Sequence, residues 1–396
     1  MQLQARHYAT GELLDLRCAN GVITQLITTP HSTHRTSHWI APALFDLQIN
    51  GCGGHSFNSE RLTPDAIRTV VRTCRQHGIG ALCATLVTNS TEALLHGFTT
   101  LRKACEDDAE IARAIPALHL EGPYISPEDG PRGAHPRRHV RPPDWDEFRR
   151  FQDAAGGRIR LHTLAPEHDG ALPFIEKLTA SGVVVALGHT AANAACIRAA
   201  VAAGAKLSTH LGNGSHAVLP RHENYIWEQL ANDDLWASII ADGHHLPAAV
   251  IKCILRVKTP ARSILTCDSG SLAGLPPGRY REWDTEFEVH PAGKIVVPGT
   301  SYLAGSWAFT DLCVGNAVTL GGVNLRDAID MAGANPRRLL RLPPHELVQG
   351  APADFVLFNG EPFLPSPPVL RGRRGKPVPR RRYRDCRGDG VRCNMR

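Results

Sequence analysis

Ala43-Leu-Phe-Asp-Leu-Gln-Ile-Asn-Gly51 is an apolar, strand-like stretch that ends in two amide side chains two residues apart, Gln48 and Asn50. Alternate residues of a strand share a face, so both amides are expected to address one space. Amides are neutral and poor metal ligands. Seven further apolar runs follow: Gly80–Thr88, Ile115–Gly122, Arg158–Pro166, Val183–Thr190, Lys206–Asn213, Leu235–His245 and Ser263–Ser269. Between them lie amphipathic stretches such as Thr63–His77, Thr91–Ala104, Leu172–Ser181, Asn193–Ala203 and Pro247–Lys258. Thr63-Pro64 reads as a helix cap followed by proline in the first turn. Eight apolar strands alternating with helices predict an α/β fold, a TIM-like (β/α)8 barrel, over a doubly wound sheet.

The barrel would occupy residues 43–342. Ahead of it, Glu12–Cys18 and Val22–Thr28 flank Asn20-Gly21, a strong hairpin signal, and have no helix to cover them. Strand character returns in 343–370, most clearly at Ala353-Asp-Phe-Val-Leu-Phe-Asn359. Residues 1–42 and 343–370 are therefore expected to pair in one small β-sandwich domain built from both chain ends. Tyr280–Pro298 reads as a β-hairpin excursion after the eighth strand. Ser306–Leu320 reads as the last barrel helix, and Asn324–Leu340 as one more, ending near Asn335-Pro336.

The formal charge of +6 conceals a division. Arg371–Arg396 holds eleven Lys/Arg and two Asp/Glu, a local +9, so residues 1–370 sum to −3. This tail reads as a disordered extension. A nucleic-acid arm is the rival reading, and it lacks interleaved aromatics beyond Tyr383. No apolar run reaches the ~18 residues that a spanning helix needs, so no membrane is expected. Eleven scattered cysteines without a C-x-x-C pair, behind an N-terminus without a secretory pattern, imply reduced thiols and a cytoplasmic protein.

In such barrels the reacting groups sit at the C-terminal ends of the strands. Those ends carry Gln48 and Asn50, Glu121, His162, His189, His210, His244 and His245, and Asp268. Glu121, His189 and His210 supply one carboxylate and two imidazoles, a three-ligand set with a position left open, as in catalytic zinc sites. Any one of these histidines alone is more simply a hydrogen-bonded core residue; jointly, at matching depth, they point to a metal. Asp268 is the candidate acid/base, although Ser269-Gly270 also suits an Asp that caps a turn. His245 could polarise a substrate carbonyl, with His244 as its competitor. Gln48 and Asn50 argue for one metal rather than two, as does the lack of a lysine in the fourth strand. Two nitrogens and a carboxylate suit zinc, with iron or manganese as alternatives.

These motifs together resemble the amidohydrolase superfamily and, within it, the N-acetylglucosamine-6-phosphate deacetylase family. The resemblance runs from about residue 10 to 362. It rests on Asp46-Leu-Gln-Ile-Asn-Gly-Cys-Gly-Gly54, His119-Leu-Glu-Gly-Pro-Tyr124, Gly188-His-Thr190, Thr209-His-Leu-Gly-Asn213, Ala241-Asp-Gly-His-His245, Ala273-Gly-Leu-Pro-Pro-Gly278 and Leu303-Ala-Gly-Ser306. Many metal-dependent hydrolases have His-x-His where Gln48 and Asn50 stand. The resemblance implies metal binding by Glu121, His189 and His210 and catalysis by Asp268. It implies substrate contacts at Ala134, His135, Asn213, Gly214, His245, Leu303, Ala304 and Gly305. It also implies a homodimer, with a basic residue of the partner near the sugar phosphate.

The chain departs from the family pattern at Asn213-Gly-Ser-His216, where Asn-Ala-Met is usual, and at Pro220-Arg-His-Glu223, where Arg-Glu-Pro-Gly is usual. Arg221 is the candidate phosphate contact there. The expected reaction is hydrolysis of the N-acetyl amide of an amino sugar, N-acetylglucosamine 6-phosphate first, giving acetate and glucosamine 6-phosphate. The alternative is a single-metal amidohydrolase for another N-acyl sugar or an N-acyl amino acid. A non-catalytic barrel is a third reading, and it is at odds with a ligand set and aspartate that are all present.

Overall fold

The computed structural model describes residues 1–29, 36–282, 285–299 and 303–359. The Arg371–Arg396 tail and the stretch 360–370 of the expected second β segment lie outside these residues. Eight parallel strands stand side by side in chain order: Leu44–Ile49, Ile79–Val87, Ala117–Glu121, Ile159–Leu164, Val184–Leu187, Leu207–Ser208, Trp236–Ile240 and Ser263–Thr266. The ring closes where Ile49 bridges in parallel to Ser269. There the N–H groups of Asn50 and Gly51 donate to the Ser269 carbonyl at 2.8 and 3.2 Å. The first strand is buried at every position and the second at all but its last, which is why apolar residues dominate both.

Phe45, Leu47, Ala81, Cys83, Ala117, Leu161, Ala186, Leu207, Trp236 and Ile264, drawn from all eight strands, fill the floor of the ring. The helices pack outside it. The first, Pro64–Arg75, begins as its sequence predicts: the Thr63 hydroxyl accepts from the Ala66 N–H and Pro64 takes the first helical position. Asn324–Leu340 forms two helices rather than the expected one, Leu325–Met331 and Ala334–Leu339. The break falls at Ala332-Gly333, where Gly333 leaves helical geometry. Pro336 then sits in the first turn of the second helix, where its missing N–H has no intrahelical partner to lose.

At the chain ends, Phe355–Asn359 pairs antiparallel with His38–Pro42, which runs parallel to Gln2–His7. Leu13–Ala19 and Val22–Thr29 complete this five-stranded sheet as a hairpin. Its turn puts Asn20 and Gly21 at φ of 52° and 72°, the left-handed pair that a two-residue hairpin needs. The excursion after the eighth strand has three antiparallel strands, Gly278–Glu282, Thr285–His290 and Lys294–Val296.

One buried carboxylate joins the first strand to the last. Asp46 is fully buried and accepts from the N–H of Gln48 (2.8 Å), the N–H of Cys267 (2.9 Å) and the hydroxyls of Thr266 and Thr310. The bond to Gln48 coincides with an extra residue in the pairing between the first and second strands, between Asp46 and Ile49. This is a bulge, and a bulge turns the following side chains to a new face. Asp46→Ala strands two buried N–H donors at the barrel seam. A stability loss of about 3 kcal/mol or more is expected, because each buried unpaired donor costs about 1–3 kcal/mol. Urea denaturation of the purified variant against wild type measures it, and an unchanged midpoint would remove Asp46 from the closure.

Candidate active site

Three of the residues expected at strand ends converge. The Glu121 carboxylate and one ring nitrogen each of His189 and His210 lie within 4.8 Å of one another, all buried. Glu121 Oε1 is 3.2 Å from His189 Nε2 and 3.0 Å from His210 Nε2, and the two Nε2 atoms are 3.0 Å apart. His189 Nδ1 donates to the Pro131 carbonyl at 2.8 Å, which fixes the tautomer and leaves a lone pair on Nε2. That lone pair faces a carboxylate oxygen and another imidazole nitrogen. Protons can relieve some of these contacts but not all three at once; a single cation among the donors satisfies every one. The donor set therefore fits a divalent metal. Burial opposes charge on Glu121, yet the two imidazoles hold its carboxyl well below the usual range. His210 is likewise disfavoured as a cation by burial, and the Glu121 carboxylate raises it above its usual value.

The backbone is bent to aim these groups. His189, His210 and Asp268 have φ of 52°, 30° and 50°, in the left-handed region that side chains seldom occupy. Each follows the end of its strand. Glu167 braces the turn after His189, accepting from the Thr190 hydroxyl at 2.5 Å and the Ala191 N–H at 2.6 Å. Close packing from two loops steadies the His189 ring. A Cβ on Gly214 would sit 2.7 Å from its Nδ1, and one on Gly133 3.3 Å from its Cε1.

Asp268 is half-buried beside this cluster. Burial and then the Glu121 carboxylate push its carboxyl up to about 7; a cation held by Glu121 would act in the opposite sense. Its Oδ1 accepts from Asn50 Nδ2 at 2.6 Å and Gln48 Nε2 at 3.0 Å. Its backbone carbonyl accepts from the Ser306 N–H at 3.1 Å, which brings the Leu303–Gly305 segment alongside. Gly305 lies so near that a Cβ there would be 3.3 Å from that carbonyl oxygen. His245 Nδ1 donates to Asp242 Oδ2 at 2.7 Å, and Asp242 also accepts from the N–H groups of His244 and His245 and from the Ser306 hydroxyl. His244 turns the other way, to the Ala292 carbonyl at 3.0 Å. Asp242 was not among the residues that sequence reasoning selects. An Asp-Gly pair ahead of two histidines signals a turn in which the side chain accepts from N–H groups further on.

His135 is buried, with its ring centroid 4.3 Å from that of His189 and Nδ1 2.8 Å from the Thr88 hydroxyl. Burial pushes its pKa down to about 3, which keeps it neutral. Ala134 is exposed beside it. Asn213 Nδ2 donates to the carbonyl of His210. Arg221 is exposed, and its carbonyl accepts from Trp227 Nε1 at 3.2 Å; no described contact joins its side chain to the cluster. At the departure His216, one ring nitrogen meets Tyr225 OH at 3.0 Å and the other Glu128 at 3.1 Å. This links the loops after the sixth and third strands. His162 does not join the site. It packs outside the ring among Tyr124, Phe148 and Phe174, and burial lowers its pKa to about 3.

The amidohydrolase family matches residues 39–378. The chain is 33% identical over 344 residues to an N-acetylgalactosamine-6-phosphate deacetylase of Escherichia coli O157:H7, covering 85% of this chain and 89% of that protein. It is 34% identical over 333 residues to the N-acetylglucosamine-6-phosphate deacetylase of Bos taurus, covering 81% and 79%. Among solved structures, it resembles the N-acetyl-D-glucosamine-6-phosphate deacetylase of Mycobacterium smegmatis. That structure is of a variant with an aspartate replaced by alanine, in complex with N-acetyl-D-glucosamine-6-phosphate. The TM-score is 0.81 at 32% identity, over 91% of this chain and 95% of that one.

The packing at His189 has a measurable consequence. Gly214→Ala sets a methyl against the ring at a φ of 56° and displaces the Nδ1–Pro131 bond. An affinity loss for the divalent ion of about 10–100-fold is expected, the range for disturbing the partner of a metal-ligating histidine. Competition with a chelator measures it, and wild-type affinity would mean that the loop does not set the ring.

Proposed function

Because the chain belongs to the amidohydrolase family, we propose that it hydrolyses the N-acetyl amide of an amino-sugar 6-phosphate, releasing acetate and the free amine. N-acetylglucosamine 6-phosphate is the first substrate. The single observation that carries this reading is the convergence of Glu121, His189 and His210 beside Asp268, in a chain whose long matches bear deacetylase names. The galacto epimer is the second reading, since a relative named for it matches at 33% identity over most of the chain.

Glu121, His189 and His210 would hold one divalent ion, which we take to be zinc from its two nitrogens and one carboxylate; iron and manganese accept the same donors. Bound there, the ion would polarise the acetyl carbonyl and make a nearby water easier to deprotonate. Asp268 takes the proton of the attacking water and delivers it to the leaving nitrogen, so that the amine departs neutral. His245 is oriented by Asp242. With Nδ1–H committed to that carboxylate, its Nε2 accepts from a sugar hydroxyl when neutral and donates to the developing oxyanion when protonated. Ala134, His135, Asn213, Gly214 and the Leu303–Gly305 segment form the substrate wall in this reading, and Arg221 takes the phosphate.

The resemblance also supports a homodimer whose partner lends a basic residue to the phosphate. Nine cysteines in the described residues are free thiols, which supports a cytoplasmic setting. Among the described residues no helix is long and apolar enough to cross a membrane.

Turnover of N-acetylglucosamine 6-phosphate, its galacto epimer and unphosphorylated N-acetylglucosamine, each followed by acetate release, tests the assignment. Preference for a 6-phosphate is expected, and equal rates with and without it would overturn the phosphate contact. Asp268→Asn is expected to lower kcat by about 10²–10⁴-fold, the usual worth of a general acid–base, while metal content stays at the wild-type level. A variant that deacetylates at the wild-type rate would dismiss Asp268 as the base.

A further inference from the structure

Two amides stand between the two carboxylates of the site. Gln48 is buried, and its Nε2 lies 2.8 Å from Glu121 Oε1 and 3.0 Å from Asp268 Oδ1. An amide nitrogen has two N–H bonds, so Gln48 gives one to each carboxylate. Asn50 Nδ2 meets the same Asp268 oxygen at 2.6 Å. In turning its nitrogen there, Asn50 leaves its own Oδ1 buried without a partner. The two oxygens of a free carboxylate are equivalent; here Oδ1 accepts two N–H donors, and no described hydrogen bond falls on Oδ2. Imidazoles at these positions would present lone pairs able to take up a cation. Amide nitrogens present only protons, which dress a carboxylate without adding charge.

We propose that Gln48 and Asn50 are positioning residues for the base: they fix the plane of the Asp268 carboxylate through Oδ1, reserve Oδ2 for the proton in transit, and tie the base to Glu121 at a set separation. The inference rests on Asp268 acting as the base, as argued above. Gln48 touches both carboxylates, whereas Asn50 Nδ2 touches Asp268 alone. The two residues can therefore be told apart by experiment.

Gln48→Met and Asn50→Ala, each purified with its metal, are assayed for kcat, KM and metal content. The expected result is a fall in kcat of about 100-fold, the scale of a misplaced reacting group, with KM within about threefold, as for a loss felt in the transition state, and metal unchanged. A kcat within about twofold of wild type in Asn50→Ala overturns the proposal. So does a Gln48→Met protein that loses metal in step with activity while Asn50→Ala stays active, since Gln48 would then serve Glu121 only. Should Gln48→Met fail to fold, Asn50→Ala carries the decision alone. A substrate-free measurement separates this inference from the assigned reaction: a double-mutant cycle of Asn50→Ala with Asp268→Ala in thermal unfolding. Coupling between the two substitutions is expected, and strict additivity overturns the contact. Failure of the wild-type protein to deacetylate any sugar on the panel would instead sink the reaction and leave the cycle standing.

Discussion

The bond from the Gln48 N–H to the Asp46 carboxylate governs the site from below. Without it the first strand would keep its alternation. Phe45 and Leu47 face the floor of the ring, so Gln48 would face the outer helices. The bulge between Asp46 and Ile49 instead turns Gln48 inward, toward Glu121 and Asp268. The same carboxylate holds the Thr266 and Thr310 hydroxyls and the N–H of Cys267, one step before Asp268 in the chain. The seam of the barrel and the placement of Gln48 and Asp268 thus share one group.

Three of the six non-glycine residues with positive φ among the described residues lie at the candidate site. His189, His210 and Asp268 all leave their strands at positive φ, a conformation that costs about 1–3 kcal/mol per residue and persists only where the surroundings enforce it. Here the enforcement is visible. Glu167 braces the turn behind His189, the Ser238 hydroxyl accepts from the His210 N–H at 2.8 Å, and Ser306 holds the Asp268 carbonyl. The site is aimed by its backbone, with a separate polar contact at each bend.

Much of this was legible in the sequence. The eight strands, the hairpin at Asn20-Gly21 and the cap at Thr63-Pro64 rest on local chemistry, and local chemistry is what a sequence displays. So do Glu121, His189, His210 and Asp268, each the polar end of an apolar run. What was hidden depends on geometry across the chain. The sixth strand is two residues long, Leu207–Ser208, although the apolar run continues to Leu211, because His210 must turn out of the sheet. His162 lies one residue from the interior positions Leu161 and Thr163. In a strand a shift of one residue exchanges the faces, and nothing in the run Arg158–Pro166 sets its phase. Asp46 and Asp242 stand inside the quoted motifs, but their roles went unread because most of their partners are backbone N–H groups and distant hydroxyls.

The replacement of two imidazoles by amides is therefore better understood as an exchange than as a loss. A second cation would neutralise the like charges of Glu121 and Asp268 by sitting near both. Gln48 meets the same electrostatic problem with two N–H dipoles, which are weaker than a full charge but fixed in direction. These dipoles favour the ionised carboxylate less than a second full charge would, and they fix which of its two oxygens is occupied. The amides at 48 and 50 thus connect the Glu121, His189 and His210 cluster to a half-buried Asp268 through directed N–H bonds.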